Sequence, residues 1–161
     1  MVKPSNKQTA LIQDETDLQE FNHSLPMSLL RAREAVMRKF TPFLRDHDLS
    51  PEQWRVIRAL ELEDGLELAE LCKRSFLLAP SLTRIARNLE GRNLVKRKNV
   101  AEDQRRASLF LTAAGRKLFH QIAPKALEQY AHISEQFGTD NLNRLYQLLD
   151  ELVDSLDETQ D

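Results

Sequence analysis

The sequence predicts a mainly α-helical fold carrying one small β-hairpin wing (α+β). Apolar residues recur at threes and fours through most of the 161-residue chain, and the period changes to strict alternation only once, in "LVKRKNV" and "ASLFLT". Charge is segregated as well. Residues 71–106 hold ten bases against three acids, a net +7, while the remainder carries thirteen bases and twenty-two acids, a net −9. A basic block inside an acidic body is the footprint expected of a surface that meets a polyanion.

The elements follow in order. The first 23 residues are polar and without sustained period, which predicts a flexible tail. Leu25, Leu29, Ala32, Val36, Phe40 and Phe43 then mark one long helix over 24–46, with Pro42 expected to bend its last turn. In "LSPEQWRVIRALELEDG", Ser50 and Gln53 make a capping box and Pro51 takes the first helical position, so a second helix runs over 51–63 and stops at Gly65. Two short helices come next. One spans about 67–73 through Leu68, Leu71 and Cys72, which is expected as a buried core thiol; the other starts at Pro80 or Ser81, buries Leu82, Ile85, Ala86 and Leu89, and ends at Gly91. Five or six residues between them give a helix-turn-helix.

The alternating segments that follow form a hairpin with the charged tip "AEDQRR", placing Ala107, Leu109 and Leu111 on one side and Ser108 and Phe110 on the other. Thr112 caps a fifth helix with Leu118, Ile122, Leu127, Tyr130, Ile133 and Phe137 along one side and a bend at Pro124. A sixth, over 140–157, lines up Leu142, Leu145, Leu149, Leu152 and Leu156 beside Tyr146, Leu148 and Val153. The stripes of the first, fifth and sixth helices exceed what the helix-turn-helix can cover, which points to a homodimer. The whole is a winged helix-turn-helix with N- and C-terminal dimerisation helices: tail 1–23, then a single domain 24–161 with the winged module at about 51–112 and the dimerisation helices at 24–46 and 113–157.

Several function classes drop out. Four glycines in the whole chain leave no phosphate-binding loop or nucleophile elbow, the four histidines share no ligand spacing with Cys72, and paired-carboxylate contexts are missing, so neither an enzyme nor a metal or cofactor is expected. A single cysteine allows no internal disulfide. No apolar run reaches the ~20 residues of a membrane span, and the N-terminus has no signal-peptide centre, which predicts a soluble cytoplasmic protein with no membrane partner.

On the second helix of the helix-turn-helix, the face opposite the core presents Pro80, Ser81, Thr83, Arg84 and Arg87. Serine and threonine contact bases or phosphates, Arg84 can take guanine O6 and N7 together, and Arg87, a turn deeper, suits a phosphate. A solvated helix face is the bland alternative.

Three stretches, "LSPEQWRVIRAL", "LAELCKRSFLLAPSLTRIARNLEGRNLVKR" and "DQRRASLFLTAAG", in this order and at these separations, resemble the MarR family of bacterial transcription regulators over residues 24–156. The last matches the family's D-x-R wing motif followed by L-T-x-x-G. The segment "SLPMSLLRAREAVMRKFTPFLRDHDLSPEQWRVIRAL" is similar to the subgroup that regulates homoprotocatechuate (4-hydroxyphenylacetate) catabolism, and to fatty-acid-resistance repressors sharing "AREAxM" and "QWR".

The resemblance implies a dimer on a pseudo-palindromic double-stranded DNA operator, usually a repressor released by a small aromatic carboxylate effector. It makes Arg105 a minor-groove arginine, Asp103 the acid that orients it, and Lys98 and Arg106 ligands of flanking phosphates. It also puts the effector beside the first and second helices, with Ser28, Arg31, Arg33, Trp54 and Arg58 as candidates. Trp54 either faces the effector ring or belongs to the core, and each arginine either binds a carboxylate or bridges helices. Regulation of efflux or fatty-acid-resistance genes, and a dimeric protein-interaction module that binds no DNA, stand as alternatives.

Overall fold

The computed structural model describes residues 24–100 and 103–157; the side chains of residues 100 and 103–106, the expected tail 1–23 and residues 158–161 lie outside that description. Six helices and three strands follow one another in the described residues: α1 (Leu25–Arg45), α2 (Pro51–Leu62), β1 (Leu66–Glu67), α3 (Leu68–Ser75), α4 (Ala79–Gly91), β2 (Val95–Val100), β3 (Asp103–Leu111), α5 (Ala113–Phe137) and α6 (Thr139–Asp157). The chain divides into two compact units between Lys39 and Phe40, inside α1. In the N-terminal unit, Leu25, Leu29, Leu30 and Val36 are exposed along the helix.

In the second unit the core is built where α2, α3, α4, β3 and α5 contribute fully buried side chains: Val56, Ile57, Leu60, Leu71, Leu82, Ala86, Leu89, Leu109 and Ile122. Local chemistry sets each element's ends. The Ser50 hydroxyl accepts from the Gln53 amide at 3.2 Å while the Gln53 side chain accepts from the Ser50 amide at 2.8 Å, the reciprocal cap that starts α2. The turn between α3 and α4 is only three residues, shorter than the five or six expected, because Phe76 adopts a left-handed conformation (φ 50°, ψ 48°) that reverses the chain at once. Cys72 is half-buried rather than enclosed, because it sits beside the inward-facing Leu71 rather than in its place.

The sheet has the order β1-β3-β2, all antiparallel. β1, which the sequence pattern does not announce, adds two residues by pairing Leu66 with Leu109 and Glu67 with Ser108. Residues 103–106 continue β3 instead of belonging to the hairpin tip: Val100 pairs with Asp103 across a register shift at Asn99 and Val100. The alternation holds, with Ala107, Leu109 and Leu111 buried and Ser108 and Phe110 half-buried on the other face. There Phe110 lies over Gly65 (φ 79°), where an added Cβ would approach the Phe110 ring to 2.7 Å.

Thr112 starts α5, its hydroxyl accepting from the Gly115 amide at 3.0 Å and donating to the Asn93 carbonyl at 2.6 Å. The stripe of α5 is largely uncovered: Ile122 is buried, but Leu127, Tyr130 and Phe137 are exposed. α6 has no buried residue; Leu145, Tyr146, Leu148, Val153 and Leu156 are all exposed. No helix of the described residues is long and apolar enough to cross a membrane.

Candidate nucleic-acid interface

α4 separates its two faces cleanly. Leu82, Ile85, Ala86 and Leu89 turn into the core, while Pro80, Arg84 and Arg87 are exposed and Ser81 and Thr83 half-buried. The Thr83 hydroxyl donates back to the Ala79 carbonyl at 2.9 Å, which orients its methyl group and leaves an oxygen lone pair outward. The helix opens without a side-chain cap, at Leu78.

Polar ties from α4 to other elements gather at its C-terminal end. Asn88 accepts from the Gln53 side chain at 2.7 Å, Glu90 faces Arg97 of β2 at 3.4 Å, and Arg92, just past the helix, donates to the carbonyls of Asp48 at 2.6 Å and His47 at 3.0 Å. Arg74 likewise works within the fold, bridging Glu70 and Glu63 at 2.7 Å each and so fastening α3 to the end of α2. Its hydrogen bond holds the Glu70 carboxyl below the ordinary carboxylate range, and the two glutamates raise the Arg74 guanidinium above its own. Among the described side chains of the positive block, Arg74, Arg92 and Arg97 are therefore structural ties.

Lys96 and Lys98 project from the outer face of the wing, opposite Arg97, as the pairing of Lys96 with Phe110 and Lys98 with Ser108 requires. The Lys98 ammonium stands 5.0 Å from the centre of the Phe110 ring, a cation–π contact that restricts an otherwise mobile side chain. The backbone of β3 carries Asp103, Arg105 and Arg106 along the wing; their side chains lie outside the described residues.

The candidate effector residues fall into both units. In the N-terminal unit, Ser28 and Arg31 border a shallow depression on α1 with Met27 and Leu30, and Arg33 pairs with Glu34 at 2.6 Å. In the second unit, Trp54 is 6% exposed and stacks on Phe119, ring centres 5.4 Å apart and planes 19° from parallel. One turn on, Arg58 is exposed and donates to the Tyr130 hydroxyl at 3.1 Å. Tyr130 in turn lies against Phe40, ring centres 4.9 Å apart. Arg58 also borders a cleft of about 220 Å³ floored by Ala59 and Leu62. The flanking arginines there are engaged, Arg74 with its two glutamates and Arg55 with the Ser75 carbonyl at 2.8 Å. Tyr130 is the residue that sequence reasoning placed only as part of an apolar stripe; it lies 72 positions from Arg58, and no local pattern links them. No group of three His, Cys, Asp or Glu side chains among the described residues is placed to hold a metal ion.

Residues 47–106 match the MarR family model. The HTH-type transcriptional regulator FarR of Neisseria gonorrhoeae is 38% identical over 130 residues, 81% of this chain and 89% of that protein. The homoprotocatechuate degradative operon repressor of Escherichia coli is 35% identical over 130 residues, 81% of this chain and 88% of that protein. Among solved structures, NadR in complex with 4-hydroxyphenylacetate aligns with a TM-score of 0.70 at 40% identity, covering 80% of this chain and 92% of that one. The buried and exposed faces of α4, the wing beside it and these likenesses agree: the chain belongs to the MarR family.

Proposed function

We propose that this protein is a homodimeric, sequence-specific DNA-binding repressor of an aromatic-acid catabolism operon, and that it leaves its operator when a small aromatic carboxylate binds. The observation that carries this reading is α4, a helix with one fully buried face whose other face offers Pro80, Ser81, Thr83, Arg84 and Arg87 beside a cationic wing. Such a helix fits the major groove, where Arg84 takes guanine and Arg87 a phosphate. At the wing, Arg105 enters the minor groove and Asp103 restricts its rotamers before contact, which lowers the entropy lost on binding; Lys98 and Arg106 meet flanking phosphates.

A second copy covers the apolar stripes of α1, α5 and α6, and so sets two α4 helices one turn of DNA apart, about 34 Å. Residues of about 51–112 read the DNA, and the three outer helices pair the copies. The protein works in the cytoplasm and catalyses no reaction.

The effector is argued from Arg58. Its partner among the described residues is a neutral phenol, so its charge has no carboxylate to answer it, and a ligand carboxylate supplies one. NadR holding 4-hydroxyphenylacetate, a single-ring acid, supports the class. The ligand moves the repressor off DNA by the difference between its affinities for the two forms, no more.

A mobility-shift titration against the promoter of the neighbouring operon and a random duplex, at physiological salt, tests the DNA half. Preference for the promoter, reduced by Arg84→Ala or Arg105→Ala with dimerisation intact by light scattering, is expected. Equal affinity for both duplexes overturns it.

A further inference from the structure

Two large apolar side chains stand in water at the entrance to α4. Phe76 is 88% exposed and Leu78 is 78% exposed. Neither choice is explained by folding. Phe76 holds a left-handed backbone (φ 50°) that Asn or Gly adopts with less strain, and Leu78 occupies the N-cap, where Ser, Thr, Asp or Asn supplies an oxygen to the first free amides and leucine supplies none. Ala79 and Pro80 extend the same surface, so the chain presents a continuous apolar lip and then, at Ser81 and Arg84, polar groups.

The charge around the lip identifies what covers it. From Leu71 to Leu89 the chain carries four bases, Lys73, Arg74, Arg84 and Arg87, and no acid. Arg74 is taken up by Glu63 and Glu70, which leaves Lys73, Arg84 and Arg87 as the charges nearest in the chain to the patch. An apolar patch flanked by these cations, and followed by the exposed face of α4, fits DNA rather than another protein's apolar groove. In the major groove one apolar group is on offer, the thymine 5-methyl, and leucine is a good partner for it.

We infer that Leu78, with Phe76 beside it in the turn, is a specificity residue that selects thymine at one position of each half-site through its methyl group. The inference rests on the DNA-binding reading above and adds which base the start of α4 selects, and by what contact. The uncapped helix is then the structural counterpart of the function: an oxygen at position 78 serves the helix, and a leucine serves the base.

The test starts from random 24-base-pair duplexes selected on the full-length protein. The selected duplex is resynthesised with deoxyuridine at each thymine in turn, which deletes the methyl and leaves base pairing intact, and is titrated by fluorescence anisotropy. At one thymine per half-site, uracil weakens wild type about fourfold, the value of one buried methyl, and leaves Leu78→Ala unchanged. On the thymine duplex Leu78→Ala is weaker than wild type by at least the same factor. Leu78→Ser, which restores a cap oxygen, unfolds at a higher temperature and loses the response to uracil. Equal uracil penalties in wild type and Leu78→Ala, or no thymine at which uracil matters, overturn the inference while leaving DNA binding standing. A pool from which no sequence is enriched overturns the DNA-binding reading itself.

Discussion

Gly115 lies in the first turn of α5, where an added Cβ would overlap the Leu94 carbonyl oxygen and come within 3.1 Å of the Leu111 side chain. That carbonyl is the point where the wing strand leaves α4, and it accepts from both the Thr112 amide and the Thr112 hydroxyl at 3.1 Å. Alanine therefore has to push the root of the wing away from α5. Overpacking of this kind costs about 1–3 kcal/mol. The two hydrogen bonds are worth about 1 kcal/mol each. Alanine returns about 0.5–1 kcal/mol by its better helix propensity. The net is about 2–4 kcal/mol, or a fall in Tm of about 5–15 °C for a chain of this size.

Gly91 is the control. Its added Cβ meets nothing within 4 Å and its φ is not positive, so Gly91→Ala stabilises by about 0.5–1 kcal/mol. Thermal and urea unfolding of the two variants at one protein concentration gives shifts of opposite sign. Shifts of the same sign, or a Gly115→Ala Tm within about 2 °C of wild type, refute close approach as the reason for the glycine.

Four further outcomes follow from named residues. Arg84→Ala relaxes base preference at one operator position by about 1–3 kcal/mol, whereas Arg87→Ala weakens all duplexes alike and lowers the salt slope by about 1, both measurable by anisotropy across a salt series. Asp103→Ala weakens operator binding although it makes the chain more positive; a tighter complex contradicts the orienting role. Arg58→Gln lowers affinity for 4-hydroxyphenylacetate about 10- to 100-fold by calorimetry and leaves operator affinity unchanged, since one charged hydrogen-bonding group is lost away from the DNA face. Because Arg74 depresses the Glu70 carboxyl, that pair supports the fold above Glu70's unfolded value near 4.5 and fades as pH falls through the lower folded value. The stability gap between wild type and Glu70→Gln is accordingly open at pH 7 and closes on the acid side of 4.5 in urea titrations.

What the sequence made legible was the local chemistry. The Ser50 and Gln53 cap, the Thr112 cap, the four buried positions of α4 and the alternation of β3 all depend on neighbours within four residues, and all are present in the structure. Expectation and structure part where a contact is distant or a residue acts against its propensity. A phenylalanine in the left-handed region gave no hint of a three-residue turn. β1 is two residues long and exists because Leu109 and Ser108 offer it an edge. The motif L-T-x-x-G was recognisable, but the reason for its glycine is a carbonyl 21 residues earlier. The Arg58 partnership with Tyr130 and the Arg92 grip on His47 and Asp48 join residues 72 and 44–45 positions apart, beyond any periodicity.

That Arg92 grip has a mechanical side. With Asn88 tied to α2, Glu90 to β2 and Arg92 to the corner between α1 and α2, the polar anchors of α4 lie at one end, while Leu82 in its first turn rests on the core. A rod held this way is a lever with its fulcrum at the corner. Thirteen residues at 1.5 Å each make an arm of about 20 Å, so a tilt of about 5° at the corner carries the far end through about 1.7 Å, more than a base-edge hydrogen bond tolerates. A small rotation at the corner is thus magnified, by length alone, into a misfit at the groove, and the packing around Leu82 sets how far it goes.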